Sequence, residues 1–95
     1  MTDLQCPATV VLLANQAPVP AWLGRLRVAG EYEIQGHAAL LALVADAADL
    51  FRGETFVVSA PSADGQQALR QQGLPTALPA VVEVDSSGWR LVPDR

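Results

Sequence analysis

Few side chains in this sequence belong to types that do nucleophilic or acid–base work, and none stands at a spacing that defines a reaction. Cys6 is the only thiol. It precedes the apolar run that begins at Ala8, beside Pro7, away from any helix N-terminus that would favour the reactive thiolate. It reads as an incidental thiol, with a single-cysteine thiol enzyme as the alternative. His37 is the only imidazole and stands where a helix begins. An imidazole there can donate or accept a hydrogen bond to a partner. With no Cys, Ser or acid at a recognisable triad spacing it reads as a capping or surface residue, and no catalytic residue is assigned. Asp46, Asp49 and Glu54 make an acidic edge, but one histidine and dispersed carboxylates do not form a metal-ligand set. Gly24, Gly30 and Gly36 match neither a dinucleotide fingerprint nor a phosphate loop, so no cofactor is expected. Trp22 and Trp89, near Arg25 and Arg90, are the residue types that anchor interfaces when they are not spent on the core.

The elements that carry these residues fit one small domain spanning 1–95. The chain has 95 residues, of which 51% are hydrophobic and 17% charged, a composition that folds instead of staying disordered. The net charge is −4, and all six cations are arginines scattered from Arg25 to Arg95. No basic patch forms, so neither nucleic acid nor an anionic membrane surface is an expected partner. The longest apolar stretch, Ala38 to Ala45, falls well short of the roughly 20 residues a membrane span needs. The N-terminus carries Asp3 where a secretory signal would be positive, and the single cysteine excludes an internal disulfide. Both point to a cytoplasmic location.

Along the chain, Ala8 to Ala14 (ATVVLLA) is the continuous apolar run of a strand buried on both faces. Pro20 opens a short helix to Val28, with Gly30 as its stop. Glu31 to Gln35 (EYEIQ) alternates as a half-exposed strand. The clearest helix covers His37 to Phe51, with a buried stripe of Leu40, Leu43, Val44, Ala47, Leu50 and Phe51 and with Gly53 closing it. Thr55 to Ala60 is a second buried strand. Pro61 to Asp64 offers capping residues before a helix over Gln66 to Gln72, with Ala68 and Leu69 inward and Gly73 as its cap. Ala80 to Val84 is a third central strand, Asp85-Ser86-Ser87-Gly88 a tight turn, and Trp89 to Val92 its antiparallel partner.

This order describes an α/β fold with a mixed sheet. The stretch from His37 to Val92 resembles the second half of a thioredoxin-like domain: a long helix, a strand, a short helix ending in Gly73, a proline opening a strand, then a hairpin. The most specific element is Leu78-Pro79-Ala80-Val81-Val82, with Gly88 following at the hairpin distance. The resemblance implies a cis peptide before Pro79, helices on the faces of the sheet and a C-terminal antiparallel hairpin. Where a redox-active member carries Cys-x-x-Cys, this chain reads Ile34-Gln35-Gly36-His37, so disulfide exchange has no nucleophile. The family's closing helix has no counterpart after the hairpin, leaving one sheet face thinly covered and open to a dimer or a partner. The alternative architecture is a small flavodoxin- or receiver-like sheet. A phosphorelay is disfavoured there, because the first strand ends in Ala14-Asn15 without an adjacent acid pair and the chain has no lysine.

The resemblance implies a redox-inactive protein-binding module, an accessory or assembly factor or an inhibitor; a structural subunit of a larger complex is the other alternative. Its partner surface would comprise Gln35, Gly36 and His37 at the helix start and Ala77, Leu78 and Pro79 in the facing loop. Leu41 and Trp22 would add apolar contact, the whole forming a shallow, mainly apolar patch with few charges. Leu40, Val44, Ala47 and Phe51 are expected against Val57 and Val82. A thiol-reactive probe titrated across pH should find Cys6 ionising near the free-cysteine value of about 8.5; a value well below that would favour the thiol enzyme.

Overall fold

In a computed structural model, residues 7–74, 76–85 and 87–92 are described. Strand β1 (Ala8–Ala14) pairs parallel with β3 (Thr55–Ala60) on one side and antiparallel with β4 (Ala80–Asp85) on the other. Strand β2 (Val28–Glu33) continues the parallel part beyond β3, and β5 (Gly88–Leu91) closes the other end as the return of the hairpin. The sheet order is β2-β3-β1-β4-β5.

The connections explain the layers. The chain leaves central β1, steps outward past β3 to β2, then steps back to β3. Parallel crossovers are right-handed, so two that run in opposite directions across the sheet must lie on opposite faces. The return crossover, helix α1 (His37–Leu50), packs with α2 (Ser62–Gln71) over Val10, Leu12, Phe56, Val58 and Val82. The outward crossover carries only a 3₁₀ turn, η1 (Ala21–Arg25). Its Trp22 and Leu23, with Leu26, cover Val11, Leu13, Val57 and Val81. Side chains alternate faces along a strand, and the register sets Val11 opposite both Val57 and Val81 in one continuous row.

Four expectations need correction. The helix read from Pro20 to Val28 is the shorter η1, because the backbone from Val28 is claimed by pairing with Thr55 and Phe56 of β3. Gly30, read as a helix stop, lies inside β2, where a Cβ would stand 2.9 Å from Cζ of Phe51. Val57 does not meet α1: it faces η1, and its neighbours Phe56 and Val58 take the helix side. Within α1 the buried positions are Leu40, Val44, Ala47 and Ala48, whereas Leu50 is 72% exposed. At 3.6 residues per turn Leu50 sits roughly 80° from Leu40, on the flank of the stripe and in the last turn.

The expected long helix, second strand, third strand and hairpin otherwise stand where the sequence placed them. The Leu78–Pro79 peptide is cis. At the hairpin, the Ser87 N–H donates to Asp85 Oδ1 at 2.8 Å, and Arg90 lies 3.0 Å from the same carboxylate. The Ser87 amide first, and Arg90 after it, hold Asp85 below the usual carboxylate range.

An aromatic cluster ties the outer strand to the rest. Phe51 and Phe56 lie 5.5 Å apart, and Tyr32 of β2 stands 6.1 Å from Phe56. Phe56 is fully buried at the centre of this group, so truncation leaves a cavity that three elements cannot collapse together to fill. Phe56→Ala should cost about 3–5 kcal/mol, read as a fall in the urea midpoint; a loss under about 1 kcal/mol would show that the cluster is not a structural anchor.

Candidate functional site

Because β1, β2 and β3 are parallel, their C-terminal ends share one edge of the sheet, and antiparallel β4 starts from that same edge, with Ala80 opposite Leu12. The starts of both helices and the Pro79 loop are therefore collected there. Ligand sites of open α/β sheets form outside this edge, where loops diverge from the strand ends.

Hydrogen bonds knit the edge together. Asp64, in the first turn of α2, accepts the Gly36 N–H at 2.8 Å through Oδ2. Gly36 precedes α1 with φ +92°, a backbone conformation suited to glycine. One carboxylate thus sits at the beginning of two helices, where the helix dipoles favour negative charge. Gln16, in the loop after β1, accepts the Ser62 N–H at 3.3 Å, and the Gln66 side-chain amide donates to Ser62 Oγ at 3.2 Å. The local capping read into Pro61 to Asp64 is replaced by these distant partners: Pro61 occupies the N-cap position and offers no side-chain cap.

Gly65 is the buried residue next in line. A Cβ there would lie 2.6 Å from Cδ1 of Leu78. The absence of a side chain is what lets Leu78 settle onto α2. Gly36 and Leu78, from loops 42 residues apart in the chain, are thereby held against consecutive residues of one helix turn.

Of the expected partner residues, Gln35, Gly36, Ala77 and Pro79 are exposed and His37 is half-buried. Leu41 and Leu78 are half-buried and pack against the main core, so they support the edge more than they present it. Trp22 lies on the opposite face against Val11, Leu13, Val57 and Val81, with the sheet between it and the others. Beside the Pro79 loop a cleft of about 210 Å³ is lined by Gln66, Arg70, Thr76 and Ala77. Gln66 and Arg70 share a helix face by their i, i+4 spacing, a signal present in the sequence. The roles of Asp64 and Gln16 depend on contacts 28 and 46 residues away, which no local pattern announces.

Cys6 lies outside the described residues. Among the described residues no three His, Cys, Asp or Glu side chains gather to hold a metal, and no helix is long and apolar enough to cross a membrane. No family model, curated protein or solved structure matches the chain.

Removing the Asp64 carboxylate leaves the Gly36 amide without its partner. Asp64→Ala should cost about 0.5–1.5 kcal/mol and speed hydrogen exchange at the Gly36 N–H, with Asp64→Asn, which keeps an acceptor, close to wild type. Unchanged exchange at Gly36 in the alanine variant would show that the bond does not order the loop.

Proposed function

We propose that this chain is a thioredoxin-like binding module without redox chemistry, which grips an extended segment of a partner protein at the edge where its helices begin. The observation that carries the reading is the convergence of the Gln35–His37 loop and the Ala77–Pro79 loop on Asp64 and Gly65. Two exposed loops are thereby fixed to one rigid helix turn, and a binding surface built on such a support loses little entropy on association. The order of elements from His37 to Leu91 supports the thioredoxin-like reading: helix, parallel strand, helix, Pro79, antiparallel strand and hairpin return.

A partner strand running past Pro79 would pair with exposed backbone, and the cleft beside it offers Gln66, Arg70 and Thr76 for side-chain recognition. In this reading the partner contributes hydrogen-bonding side chains as well as apolar ones. His37, half-buried at the start of α1, positions a ring against the same segment and takes no part in covalent chemistry.

Gln35 and Ala77 are both exposed, so replacing them tests the surface without touching the core. Affinity capture from the native host should retain a protein on the wild-type chain and lose it on the folded Gln35→Arg/Ala77→Arg variant. Equal retention by the two would place the binding surface elsewhere, and no captured protein in either arm would count against a binding module.

A further inference from the structure

The second candidate surface lies on the other face of the sheet, at its outer strand. Strand β2 has one neighbour, β3, and among the described residues its outer row of peptide groups has no backbone partner. An open strand edge is a template for another strand. Glu31 and Glu33 stand opposite Val57 and Ser59, so both point to the face that η1 covers. Both are exposed, and neither has a cationic partner among the described residues.

Beside them the same face opens into a cleft of about 470 Å³. Leu13 and Val57 line it together with Val19 and Leu23 from the outward crossover, and the two glutamates, Tyr32 and Ser59 complete it. Val19 is 66% exposed, an apolar wall left to solvent. Paired acids next to apolar lining match a lysine or arginine side chain, whose aliphatic stem lies on apolar surface while its charge stays at the rim. A second copy of this chain paired about Tyr32 would set Glu31 against Glu33, a repulsion that a basic segment avoids. Arg27, exposed just before β2, limits the preference for basic residues to positions opposite Glu31 and Glu33.

We propose that β2 accepts an extended basic segment of a partner protein as a sixth strand, its lysine or arginine side chains set against Glu31 and Glu33 on the cleft side. This surface is independent of the Pro79 edge. Backbone pairing supplies the affinity, and the two carboxylates supply the choice of partner.

The test uses a labelled peptide, fluorescein-Val-Lys-Val-Lys-Val-Lys-amide, against its glutamate counterpart and against a version N-methylated at alternate residues, read by anisotropy at low salt. The lysine peptide should bind about tenfold or more tightly than the glutamate peptide, the effect of two exposed cross-strand pairs made attractive or repulsive. Glu31→Lys/Glu33→Lys should reverse that preference and Glu31→Gln/Glu33→Gln abolish it, each with an unchanged circular dichroism spectrum. N-methylation should weaken binding about tenfold or more by removing peptide donors. The Gln35→Arg/Ala77→Arg variant should bind the lysine peptide as wild type does, which separates this surface from the Pro79 edge. Failure of the lysine peptide to bind, equal binding of the two charged peptides, or undiminished binding after N-methylation would each overturn the proposal.

Discussion

Strand β1 is paired along both edges and covered on both faces, and the other elements are arranged to meet that demand. Its Val10, Val11 and Leu12 are all essentially inaccessible to water, so alternate side chains need separate apolar layers above and below. At about 25 cal/mol per Å² of apolar surface removed from water, burial of this kind is the main term opposing the chain entropy of a small domain. The two crossovers provide the two layers, but unequally. Helices α1 and α2 cover one face with a broad core, while the other has the η1 segment and partly buried chain around it.

That inequality decides where polar groups can converge. On the helix side, the parallel strands deliver both helix starts to one edge, and Asp64 satisfies an amide that a single helix would leave unpaired. Gly65 then admits Leu78 against the same turn. The edge is ordered by a few specific contacts, and its exposed residues, Gln35, Ala77 and Pro79, are carried on that frame.

On the other face the thinner layer leaves room beside β2, and the glutamates that keep an outer strand from pairing with its own kind also set the sign of charge it accepts. The two surfaces therefore differ in character. One is a polar cleft with an arginine, Arg70, in its wall; the other combines apolar lining with carboxylates. No described cation neutralises the second within salt-bridge distance.

The buried runs Ala8–Ala14, Thr55–Ala60 and Ala80–Val84, the helix from His37 and the hairpin after Asp85 were legible in the sequence, because apolar runs, helical spacing and Gly or Asp turn chemistry act between near neighbours. Local pattern could not choose between a short helix and the outer strand for residues 20 to 30. The pairing of Val28 and Gly30 with β3 and the fit of Gly30 under Phe51 decided that. Nor could it tell which of Phe56, Val57 and Val58 would face the helices, since a run apolar at every position carries no period to mark its sides. Of the candidate site, Gln35, Gly36, His37, Ala77, Leu78 and Pro79 are what the thioredoxin-like resemblance implies, while Asp64, Gln16 and the Gly65 contact were hidden. Outside residues 20 to 35, sequence determined which segments would be strands and helices. Only the tertiary structure, by bringing backbone groups tens of residues apart within hydrogen-bond distance, decided which faces they share and which side chains remain exposed.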